Sequence, residues 1–383
     1  MNTQRLYFLD WVRIFAFFLL IAYHTGMYYV SWDWHVKSPF ASDALEPLMM
    51  LSSPWRLGLL FLVSGVAARC LLHKLSAARF MAKRSLRLLL PLAFGMAVVV
   101  PPQPYLEVVE KVAYAGSYGD FLRLYFSAYH GFCRGSDCLT LPTWNHLWFV
   151  AYLWVYCMLF GALGLLATSR LAAWGARLAG WLQGWRMLVL PWAALALARI
   201  ALVGAYPSTH DLVHDWYNHA QYGLLFMLGA LLATEARAWQ SMAELRWPAL
   251  GTALTCWAAL VIYFSIPEAL IKDVPDTVRA IQRAVYALCA WSAIVAACGF
   301  ARTHLNVDSP RRRYLTEAVF PVYIAHQTLI VVIAHALKPV RLAPCIEGVV
   351  IMVLTLGLSF ALFALVRRIP LLRACFGLGA PAV

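Results

Sequence analysis

The chain has 383 residues, of which 62% are hydrophobic and 13% charged, and its mean hydropathy of +0.69 lies outside the range of soluble globular domains. Its formal net charge is +13, but the Lys and Arg residues cluster in alternate loops between apolar segments, which is the bias of a membrane protein's inner loops and not a nucleic-acid footprint. A soluble enzyme and a nucleic-acid binder are thereby excluded, leaving an all-α, polytopic membrane protein read as a single transmembrane domain over residues 1–383.

In chain order, apolar segments lie at 9–30, 47–70, 86–104, 144–167, 187–206, 217–235, 247–267, 279–301, 314–337 and 345–366. Each is about 18 to 25 residues long and so able to cross the hydrocarbon core as a helix, giving about ten transmembrane helices. The first has no small-residue cleavage site and reads as a retained helix. Basic residues follow segment 2 (Arg69, Lys74, Arg79, Lys83, Arg84, Arg87), segment 4 (Arg170, Arg177, Arg186) and segment 8 (Arg302, Arg311, Arg312, Arg313). These loops are expected to be cytoplasmic, and with them both termini. The intervening loops carry acidic groups, among them Asp33, Asp43, Glu46, Glu107, Glu110, Asp137, Asp211, Asp215, Asp273 and Asp276, and are expected to face outward. One of those loops, "GFCRGSDCLTLP", holds Cys133 and Cys138. A disulfide suits an oxidising compartment, two free thiols remain open, and zinc is disfavoured because no four-ligand set stands nearby.

Ionisable residues inside the apolar segments carry the functional signal, since each costs roughly 3 kcal/mol near the bilayer centre even on the lenient insertion scale. In "YFLDWVRIFAFFLLIAYHTG", Arg13 and His24 are eleven residues apart. That is three helical turns to within about 20°, so they share a face and stand roughly 16 Å apart along the axis. Asp10 lies near that face and can pair with Arg13. Segment 2 offers Arg56 at about His24's depth and Ser64-Gly65 further in; segment 9 offers Glu317, a possible kink at Pro321, Tyr323 and His326; segment 4 opens with Asn145, His146 and Trp148. Each alone can be a structural hydrogen bond or an interface aromatic. Together they read as a buried polar site open to the outside. Arg79, Lys83 and Arg87 fall at i, i+4 and i+8 beside Arg84, a stripe suited to several phosphates, or else to lipid headgroups.

Four stretches in this chain order, Arg13 with His24, "FLVSG" with Arg56 upstream, "KRSLRLLLP" and "YIAH", resemble the membrane acyltransferase-3 superfamily. Within it, "RLYFLDWVR", "WHVKS", "HLWFV" and "RIPLLRACFG" resemble the branch containing the osmoregulated periplasmic glucan succinyltransferase. One departure is Val66, where many relatives have an aromatic. The resemblance implies an enzyme of the bacterial inner membrane. It would move an acyl group such as acetyl or succinyl from cytoplasmic acyl-CoA, with no metal, to a hydroxyl of a glycan outside. It carries over to Arg13, His24, Arg56, Ser64, Gly65, Arg84 and Arg87, and to His146, Trp148, Tyr323 and His326. With the rest of the basic stripe and the outer rim, the expected site has His24, Arg13, Arg56 and Tyr323 as catalytic, Arg79, Lys83, Arg84, Arg87, Ser64 and Gly65 as donor-binding, and His35, Asn145, His146, Trp148 and His326 as acceptor-binding.

The chemistry agrees with that assignment. Acyl transfer needs a base for the hydroxyl proton and cationic or hydrogen-bonding groups for the oxyanion. His24 suits the first task, and Arg56 or Tyr323 the second. A covalent relay through His24 or a serine stays open. The competing reading is a proton-coupled transporter using His24, Glu317 and His326 as a relay. Two similar halves with matching broken helices would favour it, and none is visible in the sequence.

Overall fold

The computed structural model describes residues 6–267 and 274–379, so Asp273, counted above among the outward acidic groups, lies outside the described residues. All ten apolar segments are helical. Seven described helices or helix pairs are long and apolar enough to cross a membrane, and the count rises to nine if each of two bent pairs is one crossing. The helices are α1 (Tyr7–Met27), α2 (Glu46–Ser52), α3 (Arg56–Leu72), α4 (Ala77–Phe94), α5 (Pro102–Lys111), α6 (Tyr118–Phe126), α7 (Trp148–Trp181), α8 (Arg186–Leu202), α9 (Trp216–Leu232), α10 (Ala236–Glu244) and α11 (Arg246–Phe264). They continue with α12 (Asp276–His304), α13 (Pro310–Leu337), α14 (Pro344–Val366) and α15 (Pro370–Cys375).

Three segments differ from their sequence reading. The fourth segment stops where expected, at a non-helical Ala167, but the chain resumes as helix to Trp181, so Arg170 and Arg177 lie on a helix and not in a loop. That extension meets α8 at a bend of 110°. The third segment ends in a π-turn over Gly95–Val99, before Pro101 and Pro102, which cannot donate a backbone hydrogen bond. Pro321, a possible kink, sits inside α13, which runs as one helix.

The chain divides into two compact units, each assembled from separate stretches. The first comprises 1–16, 47–84 and 152–316. Its α3 and α9 cross with backbone against backbone: a Cβ added at Gly65 would lie 1.9 Å from the Phe226 carbonyl oxygen, and one at Gly229 2.0 Å from that of Leu62. Only glycine allows so close an approach. At one end of this unit Arg312, wholly buried, donates to Asp10 and to Asp308 (2.7 Å), lies 4.8 Å from the Tyr7 ring, and has Arg313 beside it on Asp308 at 2.6 Å. Asp10 is thus held chiefly by Arg312; Arg13 stands 4.0 Å from it and donates to the Thr316 carbonyl at 3.4 Å. The two guanidinium groups keep the Asp308 carboxyl well below the usual carboxylate range.

The second unit comprises 17–46, 85–151 and 317–383. Between α5 and α7 it carries a small core of its own, Val108, Phe121, Tyr125, Phe132 and Leu141. A two-stranded antiparallel hairpin, β1 (Cys133–Arg134) and β2 (Asp137–Cys138), closes that core. Its turn uses Gly135 at φ +62°, and Cys133 and Cys138 are disulfide-bonded, which settles the alternatives left open above. The Tyr125 hydroxyl faces the Met96 and Thr143 carbonyls at 2.8 and 3.0 Å, tying this core to the π-turn. Elsewhere in the unit, Glu317 pairs with Arg367 at 3.3 Å and Arg373 at 3.8 Å.

Candidate active site

The residues expected to form the site fall in both units. Arg13, Arg56, Ser64, Gly65, Arg79, Lys83 and Arg84 belong to the first, and His24, His35, Arg87, Asn145, His146, Trp148, Tyr323 and His326 to the second.

In the second unit α1 and α13 bring His24 and His326 together, their rings stacked at 5.1 Å between centroids and 8° between planes, with His24 Nδ1 3.0 Å from His326 Nε2. Proton positions follow from the fixed partners around them. His326 Nδ1 lies 2.6 Å from the Tyr323 carbonyl, which only accepts, so Nδ1 carries the hydrogen and Nε2 is a lone pair. His24 must therefore donate through Nδ1. In a neutral ring its Nε2 then has a lone pair and no hydrogen, the state of a base.

His146 forms the next part of the wall. Its ring meets His326 edge-on at 5.2 Å and Tyr323 at 5.6 Å. Its Nε2 faces the Ile324 carbonyl at 3.0 Å and so donates, while Nδ1 accepts from Gln103 Nε2 at 3.3 Å. Both nitrogens are engaged within the protein. The Tyr323 hydroxyl donates to the His146 carbonyl. Asn145, at φ +41°, accepts from the Thr143 hydroxyl at 2.9 Å and donates to Gln103 Oε1 at 3.0 Å. Trp148 is buried as the first residue of α7.

His35 lies 2.5 Å from Glu107 through Nδ1 and 3.0 Å from Gln327 Nε2 through its own Nε2. Gln327 also donates to Gln103 Oε1 at 3.0 Å. Glu107, expected only as one of the outward acidic groups, thus joins the wall, as do Gln103 and Gln327, which the sequence reading passed over. The signals were slight: Gln103 is the one polar residue of "PPQP", and Gln327 directly follows His326.

In the first unit the expected donor groups are of two kinds. Arg79 and Lys83 are exposed on α4, and Arg84 is half-buried with its guanidinium 5.9 Å from the Phe80 ring. Arg56 is buried at the first turn of α3. Gly65 is occupied by the α9 crossing, a packing task, with Ser64 half-buried beside it. In the second unit Arg87 donates through Nε to the Gly377 carbonyl at 3.1 Å, where Gly377 turns at φ +66°.

The acyltransferase-3 family, described as an acyltransferase domain, matches residues 6–364. The chain belongs to that family. Its apolar helices and this membership together make it a multi-pass membrane acyltransferase. Curated relatives of the family named glucans biosynthesis protein C are similar over its whole length. Those of Salmonella agona (strain SL483) and Salmonella paratyphi A (strain ATCC 9150 / SARB42) are 22% identical over 410 residues, covering 100% of this chain and 96% of theirs. That of Salmonella schwarzengrund (strain CVM19633) is 23% identical over the same span. No solved structure matches.

Proposed function

We propose that this family member is a bacterial inner-membrane O-acyltransferase that takes acetyl, succinyl or a similar group from cytoplasmic acyl-CoA and places it on a hydroxyl of a periplasmic or cell-surface glucan. The observation that carries the reading is the His24–His326 contact, whose hydrogen is spent on His326 and leaves His24 Nε2 able to accept one. His24 takes the proton of the acceptor hydroxyl as its oxygen bonds to the thioester carbon. Collapse of the tetrahedral intermediate breaks the carbon–sulfur bond, and the imidazolium returns its proton to the leaving CoA thiolate. Arg56 or Tyr323 is the proposed group for the oxyanion, on the family resemblance. Arg79, Lys83 and Arg84 suit donor phosphates; Arg13 suits the donor arm. The glucan acceptor rests on the names of the relatives, with His35 and Asn145, both half-buried, as proposed contacts.

The test is purified protein in lipid with acyl-labelled acyl-CoA and glucan oligosaccharides. Label appearing on the glucan, with release of one free thiol per acyl group, supports the proposal. Thiol release without glucan labelling points to another acceptor, and neither product appearing overturns it.

A further inference from the structure

Gln103 is wholly buried, and all four hydrogen-bonding positions of its amide are used within the second unit. Its nitrogen donates to Thr328 Oγ1 at 2.7 Å and to His146 Nδ1 at 3.3 Å, and its oxygen accepts from Asn145 and Gln327, each at 3.0 Å. Two backbone carbonyls fix which end is which. The Thr328 hydroxyl spends its only hydrogen on the Val99 carbonyl at 2.7 Å, so toward Gln103 it can only accept. His146 spends its hydrogen on the Ile324 carbonyl, so its Nδ1 can only accept too. A flipped amide would set oxygen against oxygen at Thr328 and oxygen against a lone pair at His146.

We infer that Gln103 is a positioning residue that holds His146 in its neutral, Nε2-protonated form, so that His24 and not His146 receives the proton in the reaction. A proton arriving at His146 Nδ1 would face the Gln103 N–H and would have to break that bond. It would also place a cation edge-on against His326, the ring that orients His24. The restraint extends outward through Gln327, which donates both to Gln103 and to His35, while His35 donates to Glu107. Gln103 therefore ties a carboxylate–histidine pair to the imidazole wall without itself titrating. The inference rests on the reading of His24 as the base.

Histidine-selective 15N labelling of the full-length protein in lipid bilayers, with the His146 signals identified by their loss in His146→Gln, reads the proton positions in the resting protein without substrate. His146 is expected to carry hydrogen on Nε2 alone. Gln103→Glu, which keeps the shape but replaces the donating nitrogen by oxygen, should give a doubly protonated His146 and lower kcat at least tenfold with the KM for acyl-CoA unchanged. If that variant does not fold, Gln103→Met, which removes the N–H facing Nδ1 while the Ile324 carbonyl still takes the Nε2 hydrogen, should let His146 take up a second proton at a higher pH than in wild type, and an unchanged pH response of the His146 signals overturns the inference. A wild-type His146 protonated on Nδ1, or a folded Gln103→Glu protein with a singly protonated His146 and unaltered kcat, overturns the inference. The expected His146 signature in a protein that transfers no acyl group would instead overturn the proposed reaction and leave the role of Gln103 in place.

Discussion

The two units bury polar groups in opposite ways. In the first, the Arg312 guanidinium is enclosed by two carboxylates and the aromatic face of Tyr7, so that its hydrogen-bond partners carry full charge. In the second, His326 and His146 are joined to an amide and to backbone carbonyls, His24 is joined to His326, and the hydrogen bonds assigned above give His326 and His146 one ring hydrogen each and a donating Nδ1 to His24. Ion pairs of the first kind are fixed, because moving a proton would destroy the attraction that holds them. A neutral imidazole with a lone pair can gain and lose a proton at little structural cost. Burial alone therefore does not mark a reactive site; the kind of partner does.

Four experiments can break or sharpen that contrast. His24→Ala should lower kcat by about 10² to 10⁴-fold, the range for loss of a general base, with acyl-CoA affinity and melting temperature close to wild type. Arg312→Ala should do the reverse. It removes the buried cation that both carboxylates share, leaving Asp10 only Arg13 at 4.0 Å and Asp308 only Arg313 at 2.6 Å, so thermal unfolding in detergent should shift down while the folded fraction stays active. Similar losses of melting temperature in both variants would dissolve the contrast. Arg84→Gln tests the donor side: each charge-assisted hydrogen bond is worth about 1.5 to 3 kcal/mol, so calorimetric acyl-CoA affinity should fall by at least tenfold. Equal affinity would assign that guanidinium to lipid headgroups instead.

The smallest effect concerns Lys37, a cation that caps the end of α1 by donating to the Met27 and Val30 carbonyls at 2.8 and 2.7 Å. Burial pushes its pKa down from 10.5 to about 8. The unfolded chain then binds more protons than the folded one between those two values, so the contribution of Lys37 to stability rises with pH across that window. Melting temperatures of wild type and Lys37→Met measured from pH 7 to 10 should diverge in favour of wild type above pH 8. A difference independent of pH would show that the ammonium keeps its ordinary affinity for protons.

Much of this was legible in the sequence, for reasons that also explain what was not. Hydropathy locates the helices because crossing lipid demands length and apolarity, and histidines inside such runs stand out because they are costly there. Hydropathy does not name partners. Asp10 has a nearby cation at Arg13, yet its main partner is Arg312, 302 residues away. Nor does it register breaks that keep the composition apolar, such as the π-turn at Gly95–Val99 or the interruption at Ala167. Gln103 escaped because an uncharged amide among prolines has no periodicity and no charge to draw attention, although it makes more side-chain bonds than any histidine it serves. The short Cys133–Cys138 spacing was informative because so small a loop leaves few ways to arrange two thiols.

The α3–α9 crossing has a consequence for how the first unit is made. At Gly65 and Gly229 its contact joins main chain to main chain, and at those two points no side chain can rotate to make room. Such a contact is present in full or not at all. It cannot exist until the ribosome has delivered the chain through Leu232, long after α3 itself has entered the bilayer. Until then α3 waits with an open backbone face, a natural point for quality-control factors to distinguish finished from unfinished chains. The same two positions are thereby closed to every residue but glycine.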